Sequence, residues 1–125
     1  MTARLLIMLS AVAGFTGVAL GAFGAHGLKN HLNDDLLAVW QTAVQYHLVH
    51  ALALLACGIL ARQGLQSGAL QWAGIGFLTG IILFSGSLYL LALSGQKWLG
   101  MITPLGGLSF LFGWLALLWV GLKSA

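Results

Sequence analysis

The sequence predicts an all-α integral membrane domain, a bundle of four transmembrane helices, and two observations carry that prediction. Of 125 residues, 60% are hydrophobic, against only five Lys or Arg and two Asp or Glu; a soluble domain carries about a quarter charged residues. The charges are also spaced so that uncharged runs cover Leu5–Leu28, Leu36–Ala61, Gln63–Gln96 and Trp98–Leu122. Each run reaches the roughly 20 apolar residues that cross a hydrocarbon core about 30 Å thick. Four spans leave no length for a soluble module, so residues 1–125 read as one transmembrane domain.

The first helix is expected over Leu5–Ala25. Arg4 ahead of an apolar stretch suggests a secretory signal, but the run is too long for a signal core and no clean small-x-small site follows it, so the helix is read as uncleaved. Ser10, Gly14, Gly17, Gly21 and Gly24 recur at three- and four-residue steps and form one face nearly without side chains. In lipid no hydrophobic force draws helices together, so such faces serve close backbone approach and van der Waals contact. The segment closes on His26.

The second helix is expected over Asp35–Ala61, with Asn33 or Asp34 as its N-cap and acidic groups where a helix N-terminus favours them. At about 40 Å it exceeds the hydrocarbon core, so its first turns should protrude or tilt. Gln41, Thr42, Gln45, Tyr46, His47, His50 and Cys57 all lie on it. Thr42, Tyr46, His50, Ala53 and Cys57 share one stripe; Val44, Leu48, Ala51, Leu52, Leu55 and Ile59 make the opposite arc, read as facing lipid.

The third and fourth helices are expected over Leu70–Leu93 and Leu99–Leu122. Gly76, Thr79, Gly80, Gly86 and Ser87 fall in one arc of the third, and Gly106, Ser109, Gly113 and Ala116 keep the same spacing on the fourth. Gly14, Gly17, Gly21, Gly24, Gly76, Gly80, Gly106 and Gly113 are the expected packing positions. Pro104 falls early in the fourth helix, where an N–H lacks an intrahelical partner anyway. Short loops make sequential helices antiparallel neighbours. Trp40, Trp72, Trp98 and Trp119 stand near span ends as interfacial anchors tend to.

An even number of spans places both ends on one side with Arg4, Arg62 and Lys123; Lys29, Lys97 and both aspartates share the other. The positive-inside tendency makes the termini cytoplasmic. The net charge of +3 reads as membrane orientation and leaves no nucleic-acid footprint. The lone Cys57 excludes an intramolecular disulfide.

Polar groups inside a span usually face protein or a water-filled cavity. Antiparallel packing brings His26, Gln45, Tyr46, His47, His50, Ser87 and Tyr89 toward the membrane half opposite the termini, and these seven are the expected lining of a ligand pocket. The leading expectation is a non-enzymatic protein binding a small ligand, lipid, ion or partner helix there, with no cofactor. Its partners would be the bilayer, a second copy of the chain or another membrane protein, and no nucleic acid. The alternative is a histidine-dependent enzyme or a metal or haem redox protein. Imidazoles at 26, 47 and 50 suit a transition metal, and Ser85 or Ser87 with His50, and Tyr89 as proton donor, would imitate a nucleophile and its base.

The blocks "GAFGAHGL", "WQTAVQYHLVHALAL", "FSGSLYLLALSG" and "LGMITPLGGLSFLFGW" together resemble the DUF423 family of small bacterial inner-membrane proteins, in the right order and over nearly the whole chain. The resemblance implies a four-helix protein in the inner membrane and carries no activity, cofactor or catalytic residue.

Overall fold

The computed structural model describes residues 1–124. Its regular elements are all helical: α1 (Ala3–His26), α2 (Asp34–Arg62), α3 (Gly68–Gly80), a π turn over Ile81–Ser85, α4 (Gly86–Ser94), a 3-10 turn over Lys97–Met101 and α5 (Thr103–Lys123). The continuous stretch Gly68–Ser94 makes one span, so four helical segments are long and apolar enough to cross a membrane.

Local chemistry sets the helix ends. Thr2 caps α1 by accepting from the Leu5 N–H at 3.1 Å, and Asn33 caps α2 by accepting from the Leu36 N–H at 2.8 Å. Ser67 caps α3 in the same way. These side chains satisfy donors that the first turn leaves free. Gly95 ends α4 at φ 71°, a left-handed conformation that favours glycine. Pro104 sits in the first turn of α5, which begins at Thr103, later than the expected Leu99, because the chain first turns through the 3-10 segment.

α1 packs on α2, α2 packs on the α3–π–α4 span, and α5 packs mainly on that span while also touching α2, where Phe110 and Trp114 meet His50. The two middle spans are therefore the more buried ones, and α1 and α5 give more surface to lipid. Three core clusters run along the bundle. Leu6, Leu54, Cys57, Leu70 and Phe77 fill the end near Arg4 and Arg62; Ala13, Ala51, Ile81 and Phe110 fill the middle; Leu28, Trp40 and Ala92 fill the loop end.

Glycine sets how closely the layers approach. A Cβ built at Gly17 meets the Leu48 side chain at 2.6 Å, one at Gly21 meets Val44 at 3.1 Å, and one at Gly24 overlaps the Trp40 indole. Across the other interface a Cβ built at Gly76 would meet the Gly113 backbone at 3.0 Å and one at Gly113 the Phe77 ring at 2.7 Å, while one at Gly80 would overlap the Phe110 ring and one at Gly106 the Phe84 backbone. Gly14 and Gly86 have nothing within 4 Å of a built Cβ.

Three expectations are corrected by this order of helices. Val44 and Leu48 do not face lipid: α2 is covered on both sides, and they are the side chains that fill the glycine face of α1. Trp40 is no interfacial anchor; it is 2% exposed, and its Nε1–H donates to the Leu20 carbonyl at 2.9 Å. Gly86 leaves the arc of Gly76 and Gly80 because the π turn shifts the helix phase between them.

Candidate functional site

The polar residues of α2 meet their partners near the middle of that helix. His47 lies about 20 Å along α2 from Asp34, at 1.5 Å per residue. Its Nδ1 is 2.8 Å from the Tyr89 hydroxyl on α4, and its Nε2 is 3.2 Å from Thr16 Oγ1 on α1. Thr16 Oγ1 donates to the Val12 carbonyl at 2.9 Å, with the Ala13 carbonyl at 3.1 Å. A hydroxyl has one proton, so Thr16 accepts from His47 Nε2–H, and His47 Nδ1 accepts from the Tyr89 O–H. The bonds thus run in one direction, from α4 through α2 to α1, and leave every proton placed.

His50 is tied differently. The Trp114 indole N–H, which can only donate, reaches His50 Nε2 at 3.0 Å. That fixes the proton on Nδ1, which donates to the Tyr46 carbonyl at 2.8 Å. The imidazole stacks on the Phe110 ring with centroids 3.6 Å apart, and Phe77 and Trp114 flank it. Both histidines are buried and both use both ring nitrogens. Ser85 Oγ donates to the Ala43 carbonyl at 2.8 Å, Ser87 Oγ pairs with Thr103 Oγ1 at 2.6 Å, and Ser109 Oγ donates to the Gly76 carbonyl at 2.8 Å. Each of these bonds joins two helical elements, so the network runs across the bundle rather than along it.

Of the seven residues expected together, the structure bonds His47 to Tyr89. It sets His50 one turn further along α2, bonded to α5, and turns Ser87 toward Thr103. Tyr46 and Gln45 are exposed at the surface of α2, where with Val49 and His50 they line a cleft of about 200 Å³. His26 is exposed at the end of α1 and takes part in none of these bonds. Ser85 and Ser87 bond away from His50, so no nucleophile–base pair forms between them. Among the described residues no three His, Cys, Asp or Glu side chains are grouped as a metal site requires.

Two members of the network escaped the sequence reading, Thr16 and Trp114. Trp114 carried a signal: it stands mid-span, far from the interfaces where membrane tryptophans concentrate. Thr16 carried none beyond adjacency to Gly17.

A second feature borders the network. Ile82, Leu83, Gly86, Ser87, Tyr89, Leu90, Leu99 and Ile102 line an open groove of about 490 Å³ on the outer face of the α3–π–α4 span. Its walls are apolar apart from the two hydroxyl-bearing residues. Four helices long and apolar enough to span a membrane, tied to one another by histidine, tyrosine and serine, define a small multi-pass membrane protein.

Comparison with known proteins gives the same class. The family described as "Protein of unknown function (DUF423)" matches residues 20–107. The UPF0382 membrane protein of Staphylococcus aureus strain bovine RF122 is 45% identical over 122 residues, 98% of each chain. The UPF0382 membrane protein YwdK of Bacillus subtilis strain 168 is 43% identical over 120 residues, 96% of this chain and 98% of its own. The chain therefore belongs to the DUF423, or UPF0382, family of membrane proteins. No solved structure matches it.

Proposed function

We propose that this protein is a non-enzymatic binding protein of the cytoplasmic (inner) membrane, with cytoplasmic termini, that holds a lipid or another small amphipathic molecule against its α4 face. The groove of about 490 Å³ beside Tyr89 carries the reading. Ligand sites are typically concave and about 300–1,000 Å³, with apolar walls and a few placed polar groups. Here the apolar walls come from Ile82, Leu83, Leu90, Leu99 and Ile102, and the polar positions from Ser87 and Tyr89. The histidines position: His47 holds Tyr89 from behind, and His50 holds α5 through Trp114. Neither has a free ring nitrogen with which to act on a substrate.

A photo-crosslinking amino acid at Leu90, which lines the groove, tests this against the same group at Leu93, which is exposed outside it. One discrete adduct at position 90, absent at 93, is expected. The same mixture of bulk-lipid adducts at both positions would refute a selective site.

A second reading has its own observation. Ser10, Ala11, Gly14 and Val18 of α1, with Leu48, Ala51, Leu52 and Leu55 of α2, line an apolar groove of about 440 Å³, and nothing within the chain covers Gly14. A second copy or another membrane protein would seat a helix there. Bulk at Gly14 would then change the oligomer number while leaving the adduct at Leu90 intact.

A further inference from the structure

We infer that the π turn at Ile81–Ser85 is an absorbed one-residue insertion whose work is to set the phase of α4, so that Tyr89 meets His47. Two observations on different atoms agree. The first is angular. Phe77 is fully buried in the core, and an uninterrupted α-helix would carry Tyr89 about 120° round from it and Ser85 about 80°, at 3.6 residues per turn. Absorbing one residue brings both back to within about 20° of Phe77. Both side chains do reach α2, Tyr89 to His47 Nδ1 at 2.8 Å and Ser85 to the Ala43 carbonyl at 2.8 Å.

The second is in the backbone. The Gly86 N–H is shared between the carbonyls of Ile81 and Leu83 and passes over that of Ile82, its ordinary α-helical partner. Removing one residue between Ile81 and Gly86 converts the Gly86-to-Ile81 bond from a π bond into an α bond with both flanks in place. Ile82 is the residue that can go. It is exposed, whereas Ile81 packs in the middle core, Phe84 lies under Gly106 and Ser85 is bonded to α2. Single π turns inside α-helices mark functional sites with unusual frequency, and this one precedes the residue that the candidate site requires.

The test reads the His47 ring nitrogens by ¹⁵N NMR of histidine-labelled full-length protein in micelles. Four proteins are compared: wild type, the deletion of Ile82, an alanine inserted between Ile82 and Leu83, and Tyr89→Phe. The deletion is expected to keep the wild-type His47 signals. The insertion, which turns Tyr89 a further 100° or so away, is expected to give the Tyr89→Phe spectrum. A deletion protein with the Tyr89→Phe spectrum would overturn the inference, as would an insertion protein with wild-type signals. Failure of the deletion protein to fold would also count against it, because its flanking helices would then not have been in phase. The inference concerns geometry alone, so absence of any bound molecule in the groove leaves it standing.

Discussion

Gly106 and Gly107 are neighbours on α5 with opposite surroundings, and the pair makes the packing account quantitative. A Cβ at Gly106 would overlap the Phe84 backbone N and come within 2.6 Å of its Cα, whereas one at Gly107 meets only the Phe84 ring edge at 3.9 Å. A side chain at the first contact could swing aside, but backbone inside a helix cannot. Gly106→Ala must therefore push α5 away from the π turn by an ångström or more. That movement strains Ser87–Thr103 and Trp114–His50, the bonds that tie α5 to α4 and α2. Overpacking of this kind costs about 1–3 kcal/mol, roughly 5- to 150-fold in the folded fraction at tenfold per 1.4 kcal/mol. Gly107→Ala relieves the glycine penalty on helix propensity and meets ordinary van der Waals contact, so it should be neutral or stabilising by up to about 1 kcal/mol. Unfolding by SDS from mild micelles, followed by far-ultraviolet circular dichroism, separates them. Equal stabilities for the two variants would refute the claim that the glycine face sets the spacing of α5.

Other consequences are as direct. Tyr89→Phe removes one interhelical hydrogen bond and should cost about 0.6 kcal/mol, and no more than about 1.7, by the range found for such bonds in a membrane bundle; the same SDS titration checks it. Trp114→Phe should cost a similar amount and shift the His50 ring ¹⁵N signals while leaving those of His47 in place, since the two imidazoles bond to different helices. Gly24→Ala should cost about 1–3 kcal/mol in the same SDS titration, because the new methyl occupies the space of the indole that donates to Leu20. Gly14→Leu should leave stability within about 0.5 kcal/mol of wild type, as nothing in the chain contacts that position.

Much of this architecture was legible in the order of residues, and what was not has physical causes. Charge spacing gave the four spans, because carrying a charge through hydrocarbon is costly enough to punctuate the sequence. Antiparallel loops placed His47 and Tyr89 at one level, and the structure bonds them. The partner of each helix face was less accessible. A helical wheel divides α2 into polar and apolar arcs, but only the packing shows that α1 covers part of the apolar one, with Leu48 and Val44 filling Gly17 and Gly21 while Leu52 and Ile59 stay exposed. Trp40 read as an anchor because a tryptophan near a span end suits headgroups; the gap left by Gly24 buries it instead. The π turn has no signature in composition. It shows only as a phase error, in that Ser85 and Tyr89 face α2 together with Phe77 only if one residue is absorbed between them. His26, so prominent in the sequence, closes α1 at the surface, because α1 runs past the end of the polar network.

If the groove beside Tyr89 is a binding site, a change at Gly86 reads it out with the least disturbance. Gly86 lines the groove and has no neighbour within 4 Å, so a leucine there fills the space without disturbing the bundle. Native mass spectrometry of the protein released gently from its own membrane compares wild type with Gly86→Leu. A discrete bound mass on wild type that is lost from Gly86→Leu, at unchanged stability, is expected. Bare protein in both samples, or the same mass retained on both, would contradict a binding site there.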